Sequence, residues 1–328
     1  MKVDYHLHLE EGPYSLRWLD RTNQALDYFF PMNERVHTIG WLKKSMARLT
    51  ERVQKGAYDS SWIDLYLKEA KRKGLQEVGI VDHLYRFKES RSYFEKFLDL
   101  RKTDLGMLQR KWLDQVMTES MGEYVQAISE AKKRWEAEGI TLRLGIEADY
   151  FPGGEELLQE LLGSFEWDYV IGSVHYMYGW GFDNPETQQR FSEFDLETLY
   201  EDFFNVVDKA IRSKLAHLDN LKVFNYRPDE SLLLGHYEKI AKAMVETDTA
   251  TEINAGLFYR YPVKEMCPSL TFLDVLIKNG VRFTTSSDSH FPDDIGAYID
   301  VNTETLLDKG VTEIATFVKG NRIMKPLD

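Results

Sequence analysis

Short apolar runs alternate along the chain with longer amphipathic stretches. The short runs have the length and the flanking residues of buried strands. They cover residues 3–7, 77–81, 142–146, 169–174, 214–216, 251–253 and 282–285. Because strands that alternate with helices form parallel sheets, this pattern predicts an α/β fold of the (β/α) barrel type.

Three of the amphipathic stretches carry clear helix signals. Apolar residues recur at helical spacing over 61–73, and Gly74 marks the end of that helix. A second helix is expected to begin after Asp195, a residue type favoured at the N-cap. A third covers 270–278 and stops at Asn279-Gly280.

Two connections, at about 14–60 and 87–139, are too long for a minimal βα unit. Both contain helical patterns. We interpret them as helical insertions beside the barrel mouth of one domain spanning residues 1–328. A lid, a subunit contact and structural padding all remain open as their roles.

Composition narrows the class of protein. The chain has 328 residues, of which 43% are hydrophobic and 29% charged, as in ordinary globular proteins. Its net charge of -13, without a basic stripe, argues against nucleic acid as a partner. Cys267 is the single cysteine, so no disulfide forms within the chain. With neither a signal-peptide pattern nor a membrane-length apolar run, we expect a cytoplasmic protein; whether it forms a homo-oligomer stays open.

Histidines and carboxylates follow the predicted strands. Six of the eight histidines lie at strand ends, whereas His37 and His236 lie in helical surroundings and receive no role. The strand-end residues are His6, His8, His83, Glu147, His175, His217, Asn254, Asp288 and His290. A lone buried histidine is usually a core residue, but six at strand ends indicate a common site.

Geometry and ligand chemistry suggest what that site binds. Alternate residues of a strand face the same way, so His6 can ligate together with His8, and Asp288 with His290. The carboxyl ends of parallel barrel strands meet at one mouth. Imidazole and carboxylate ligands suit zinc, iron or manganese, and this set exceeds one tetrahedral ion, so two or three divalent ions are expected. Such ions activate water for hydrolysis of phosphate esters, amides or lactones.

These motifs resemble the PHP phosphoesterase family. The HxH at the amino terminus, the DH after the second strand, the glutamate after the third, then SVH, AHxD and DxH follow the family's order. The resemblance implies a distorted seven-stranded (β/α) barrel with a trinuclear metal centre. The implied ligands are His6, His8, His83, Glu147, His175, His217, Asp288 and His290. A further ligand is expected after the HxH, where we favour Glu10 over Glu11. Catalysis through metal-bound water would rest on His6, His8, His83, His175, Asp288 and His290.

Within the family, three segments resemble the histidinol-phosphate phosphatase branch: DHLYRF, IGSVHYMYGWGFDNP and EINAGLFYRYPVKEMCPS. This implies hydrolysis of histidinol phosphate, a small phosphorylated metabolite of histidine biosynthesis. In an acidic protein the phosphate needs local cations, for which we expect Arg260, Arg86 and Lys222, with solvated surface charges as the alternative. Asp82, Asp149 and Asp219 lie beside ligands and would either orient imidazoles or cap loops.

Other functions remain in competition. A PHP-type hydrolase could act on another phosphoester, and a nuclease is disfavoured by the acidic balance. A non-catalytic metal-binding module would be expected to show degraded motifs, whereas the set here is nearly complete.

Overall fold

The parallel sheet of the protein is strongly curled. The computed structural model describes residues 1–213 and 218–327; the strand predicted at 214–216 and the predicted ligand His217 lie outside them. The strands of the described residues are β1 (Val3–Asp4), β2 (Glu77–Ile80), β3 (Thr141–Asp149), β4 (Tyr169–Ser173), β5 (Tyr176–Met177), β6 (Trp180–Gly181), β7 (Thr251–Asn254), β8 (Phe283–Ser286), β9 (Glu313–Val318) and β10 (Asn321–Pro326).

Within residues 1–213 and 218–327, six parallel strands follow one another around the curl. Strands β1 to β4 pair in sequence order, and β7 pairs with β8. The amide of Tyr5 donates to the carbonyl of Thr285 at 3.0 Å, and Leu7 bridges Ser289 in parallel, which joins β1 to β8. The order is therefore β7-β8-β1-β2-β3-β4. The prediction of an α/β fold with a parallel sheet is confirmed.

The curl has a visible cause in β3. Its first residues pair with β2, whereas its second half, from Gly145, pairs with β4, so neighbouring strands are staggered. Stagger of this kind bends a sheet around an axis. Inside the bend lies the ring of Tyr169, for which Gly79 and Gly145 leave room, because a Cβ at either glycine would collide with that ring. The Tyr169 hydroxyl donates to the carbonyl of Tyr5 at 2.8 Å.

Helices cover the outside of this sheet and also form much of the two long connections. In the described residues they are α1 (Leu16–Phe29), α2 (Ile39–Lys55), α3 (Ser60–Arg72), α4 (Arg91–Phe97), α5 (Asp104–Val116), α6 (Met121–Ala137), α7 (Glu155–Leu162), α8 (Leu196–Arg212), α9 (Leu234–Glu246), α10 (Gly256–Arg260), α11 (Leu270–Asn279) and α12 (Ile299–Asp308). The three helices predicted from sequence are α3, α8 and α11. The Asp195 side chain accepts from the amide of Thr198, and Gly280 ends α11 with φ of 84°. None of the described helices has both the length and the apolar character needed to cross a membrane.

The two long connections differ in what they add. The first contains α1 and α2, which pack against each other. The second contains α4, α5 and α6, and α6 packs against β3 and α3. We infer that α6 serves as the crossover helix between β2 and β3, so the additional part of this connection is the segment that carries α4 and α5.

Candidate active site

The predicted ligands after β1, β2 and β8, together with Glu147 in β3, meet in one buried cluster. Nε2 of His6 lies 3.1 Å from Nε2 of His8, and these two nitrogens lie 3.3 and 3.4 Å from Oε2 of Glu147. Nδ1 of His83 is 2.7 Å from the same oxygen. Oδ1 of Asp288 is 3.7 Å from Nε2 of His8. The carboxyl ends of these strands therefore deliver their side chains to one point.

His175 and His290 complete the cluster from either side. Nε2 of His175 lies 3.6 Å from Oε1 of Glu147. The ring of His290 lies 4.3 Å from that of His8 and 5.8 Å from that of His83, centroid to centroid. The structure thus brings together seven of the predicted ligands, which are His6, His8, His83, Glu147, His175, Asp288 and His290.

The donor set fits divalent metal ions. There are two triads of potential ligands, His8–His83–His290 and His6–His8–Glu147. Within each triad the ligand atoms lie within 4.8 Å of one another. Within the described chain, Nδ1 of His8 and Oε1 of Glu147 are buried without a hydrogen-bond partner. Buried polar atoms without a hydrogen-bond partner are costly, and a bound cation would compensate for this cost. Imidazole nitrogens with carboxylate oxygens are the ligands that zinc, iron and manganese accept.

Burial and neighbouring charges shift the pKa values of several cluster residues. Burial alone would raise the pKa of Glu147, but His83 and His6 outweigh it and hold that pKa well below its ordinary value. Burial lowers the pKa of His8 well below its ordinary value, and the neighbouring His83 and His290 add to this. For His175, burial is outweighed by the hydrogen bond and charge of Asp149, which raise its pKa to about 10.

Three of the cluster imidazoles contact an oxygen atom of another group through Nδ1. His6 meets both oxygens of Glu252, His175 meets Oδ1 of Asp149 at 2.8 Å, and His290 meets the carbonyl of Asp288 at 3.1 Å. Of the three aspartates considered from sequence, Asp149 thus contacts an imidazole.

The other two aspartates have different partners. Asp82 accepts from the backbone amide of His83 and from the hydroxyl of Tyr58. Asp219 accepts from Lys222 and from the amide of Ser269. Both therefore hold loops beside the site rather than imidazoles.

The structure does not bring Glu10 to the cluster, which corrects the ligand prediction at that position. One oxygen of Glu10 accepts from Nη2 of Arg52 at 2.5 Å, and the other accepts from the indole of Trp18. Both lone-pair faces are thus taken by groups from α1 and α2. The neighbouring Glu11 instead lines the cavity above the cluster. Adjacent residues of an extended segment point in opposite directions, so the sequence could not choose between them.

A cavity of about 400 Å³ opens above the cluster. Its floor includes His83, Glu147, His175, Asp288 and His290. Helix α5 forms one wall, with Leu108, Gln109, Lys111, Trp112 and Gln115. Aromatic rings continue from floor to wall: Tyr85 stacks on His83 at 4.5 Å, and Trp112 lies 4.8 Å from Tyr85. The helical segment added before α6 therefore shapes the cavity.

Of the three cations expected to bind phosphate, Arg260 alone lines this cavity. Arg86 is fully buried, near Asp82, Glu119 and the ring of Tyr14. The Lys222 ammonium is equally buried; it donates to Asp219 at 2.6 Å and to a backbone carbonyl. The phosphate-binding roles expected of Arg86 and Lys222 are therefore corrected, because both side chains are buried and neither lines the cavity.

Two site residues carried weak sequence signals. Glu252 was missed; the signal was a glutamate inside the apolar strand TEIN, on the same face as Asn254. Asp183 also lines the cavity, and burial raises its pKa. Asp183 follows the β5–β6 hairpin. The pairing of Tyr176 with Gly181 in this hairpin returns the chain to the cavity that His175 also lines.

The chain is similar to known proteins over most of its length. A family model described as "PHP domain" matches residues 59–256. A protein of Deinococcus radiodurans named "Probable histidinol-phosphatase" is 36% identical over 218 residues, which are 63% of this chain and 82% of the relative. A protein of the same name from Schizosaccharomyces pombe is 24% identical over 77% of this chain and 83% of its own length.

A solved structure shares the fold. The histidinol phosphate phosphatase of Lactococcus lactis, in complex with zinc, L-histidinol and phosphate, superposes with a TM-score of 0.65 at 17% identity and covers 98% of both chains.

Proposed function

Because the chain belongs to the PHP family, we propose that it is a metal-dependent phosphomonoesterase that hydrolyses histidinol phosphate to histidinol and phosphate. The observation that carries this proposal is one cavity that contains the buried ligand cluster, a guanidinium beside it and an aromatic wall above it. The similarity to relatives named histidinol-phosphatase supports the choice of substrate.

The cluster is the proposed metal centre. The residues that would hold two or three divalent ions are His6, His8, His83, Glu147, His175, Asp288 and His290, with His217 as a further candidate outside the described residues. Glu11 replaces Glu10 as the candidate from the segment after β1. Bound ions would supply an activated water and neutralise phosphate oxygens. Zinc is favoured over iron and manganese because the Lactococcus lactis protein was solved with zinc. The arrangement suits the predicted seven-stranded barrel, for which the strand expected at 214–216 is required.

The remaining groups of the cavity fit the rest of this substrate. Arg260 is placed to bind phosphate oxygens beside the cluster, and its planar donors match them in pairs. Histidinol carries an ammonium and an imidazole. Asp183 offers the ammonium a carboxylate, and the rings of Tyr85 and Trp112 offer the imidazole an apolar, stacking surface. In the cell, the protein would then act in histidine biosynthesis, in the cytoplasm.

A substrate panel tests the proposal. Metal-replete protein would be assayed for phosphate release from histidinol phosphate, from several sugar and amino-alcohol phosphates, and from a single-stranded oligonucleotide. The matched control is Asp288→Asn, which keeps the side-chain volume but loses the carboxylate. We expect histidinol phosphate to give the highest kcat/KM and the control to be inactive. Preference for another phosphoester would replace the substrate, and no release from any compound would favour a non-catalytic module.

A further inference from the structure

Glu252 lies directly behind His6, on strand β7. Its two carboxylate oxygens are 2.9 and 3.1 Å from Nδ1 of His6. The opposite nitrogen of that ring, Nε2, faces His8 and Glu147 in the ligand cluster. Glu252 is 4% exposed and does not line the cavity. Among the described residues it therefore contacts the cluster through His6, and it does not reach the cavity.

The carboxylate of Glu252 is itself fixed by neighbouring strands. The side-chain amide of Asn254 donates to Oε1 at 3.1 Å, and the hydroxyl of Ser286 donates to Oε2. Asn254 and Ser286 are paired residues in the register of β7 and β8. These contacts leave the carboxylate little freedom to rotate, so its position is set by the sheet.

The contact decides the state of the imidazole. A carboxylate at Nδ1 keeps a proton on that nitrogen, so the lone pair of Nε2 is directed into the cluster. A carboxylate partner also makes the imidazole a stronger ligand than a neutral partner does. Three of the cluster imidazoles can be compared at Nδ1: His6 meets two carboxylate oxygens, His175 meets one, and His290 meets a neutral carbonyl.

We propose that Glu252 is a positioning residue of the metal centre, which fixes the tautomer and ring orientation of His6 and thereby slows the loss of the ion that His6 holds. This inference rests on the metal centre of the proposed function, but not on the identity of the substrate. Glu252 does not touch the reacting groups. Its effect should therefore be visible in metal retention when no substrate is present.

The test measures metal release from full-length protein. Zinc-loaded wild type, Glu252→Gln and Glu252→Ala would be mixed with excess of a colorimetric zinc chelator, with elemental analysis of zinc content before mixing. The loss of an outer carboxylate of a metal-ligating histidine typically weakens binding by about 10–100-fold. We expect the ion at His6 to leave about 10–100-fold faster in Glu252→Ala. Release from Glu252→Gln should be intermediate, because an amide oxygen still accepts from Nδ1 but carries no charge.

Glu77→Gln is the matched control. Glu77 is an equally buried strand carboxylate, but it lies at the amino end of β2 and bonds to Tyr5, Arg143 and Lys325. The Glu77→Gln substitution should lower thermal stability and leave the rate of zinc release unchanged. If Glu252→Ala does not fold, Glu252→Gln decides the question.

Wild-type release rates in a folded Glu252 variant would overturn the inference, as would a loss of stability without faster release. A wild type that holds zinc but hydrolyses no phosphoester would contradict the proposed function and leave this inference standing.

Discussion

The guanidinium of Arg260 bonds to the carboxylate of Glu11 across the mouth of the cavity, with 3.1 Å between Nη2 and Oε1. Its other terminal nitrogen lies 3.3 Å from both Oδ1 and the carbonyl oxygen of Asp288. Burial alone would lower the pKa of Arg260, but Asp288 and Glu11 help to raise it above its ordinary value. A permanent cation is therefore held between the segment after β1 and the cluster.

Arg260→Lys should reduce kcat/KM for histidinol phosphate. A lysine keeps the charge but loses the paired, planar donors that match phosphate oxygens. The loss of one charge-assisted hydrogen bond, about 1.5–3 kcal/mol, corresponds to a decrease of roughly tenfold to hundredfold. Zinc content should stay at the wild-type level. Steady-state kinetics with parallel elemental analysis checks both, and an unchanged kcat/KM would show that phosphate is bound elsewhere.

Replacement of a cluster residue should have a much larger effect. His6→Ala, Asp288→Ala and His290→Ala each remove a proposed ligand, so turnover should fall by orders of magnitude, with lower metal content. The fold should persist, because these side chains lie at the mouth. His37→Ala and His236→Ala are the controls, since neither residue lines the cavity: His37 is exposed, and the half-buried His236 stacks on Phe204. Equal losses in all five variants would mean that the cluster has no special role.

Glu10 and Glu11 should give opposite phenotypes. Glu10→Gln leaves the buried guanidinium of Arg52 without its counter-charge, which typically costs about 3–5 kcal/mol of stability. Its zinc content and KM should change little. Glu11→Gln should hardly affect stability but should lower zinc content and alter the kinetics, because Glu11 is the candidate ligand that lines the cavity and it also contacts Arg260. Thermal melts and kinetics of both variants would decide, and metal loss in Glu10→Gln alone would restore the original ligand prediction.

The contribution of Glu77 to stability should depend on pH. Burial would raise its pKa, but hydrogen bonds from Lys325, Tyr5 and Arg143 outweigh this and lower the pKa below its ordinary value of 4.5. A lowered folded-state pKa stabilises the protein above pH 4.5, and this stabilisation disappears as the pH falls through the folded-state value. We therefore expect the Tm difference between wild type and Glu77→Gln to be full at pH 7 and to shrink below pH 4.5. Both proteins would be measured with chelator present, and a constant difference would contradict the assignment.

Helix α5 should determine substrate preference. Trp112→Ala removes the ring next to Tyr85, so the KM for histidinol phosphate should rise about threefold to tenfold, the usual worth of an aromatic contact, while kcat changes less. A small phosphomonoester without a ring should be unaffected. Met107→Ala, on the exposed face of the same helix, is the control. Equal effects on both substrates would indicate that α5 only supports the fold.

Local patterns along the chain are enough to predict which side chains meet at the site. Strand length, strand spacing and the placement of histidines after apolar runs are local properties of the chain. In a parallel sheet they are sufficient to send His6, His83, Glu147 and Asp288 to the same edge. Helix caps such as Asp195 and Gly280 are equally local, and they lie where the sequence places them.

Which group each charged side chain faces depends on how distant segments pack together. Glu10 and Glu11 are chemically identical neighbours, and the packing of α1 and α2 gives one to Arg52 and leaves the other at the cavity. Arg86 and Lys222 have partners that the fold brings into the interior. Glu252 reaches His6 across 246 positions of sequence. Burying a charged side chain costs free energy unless other groups compensate for its lost hydration. Those groups come from segments that are distant in sequence and meet only in the folded protein.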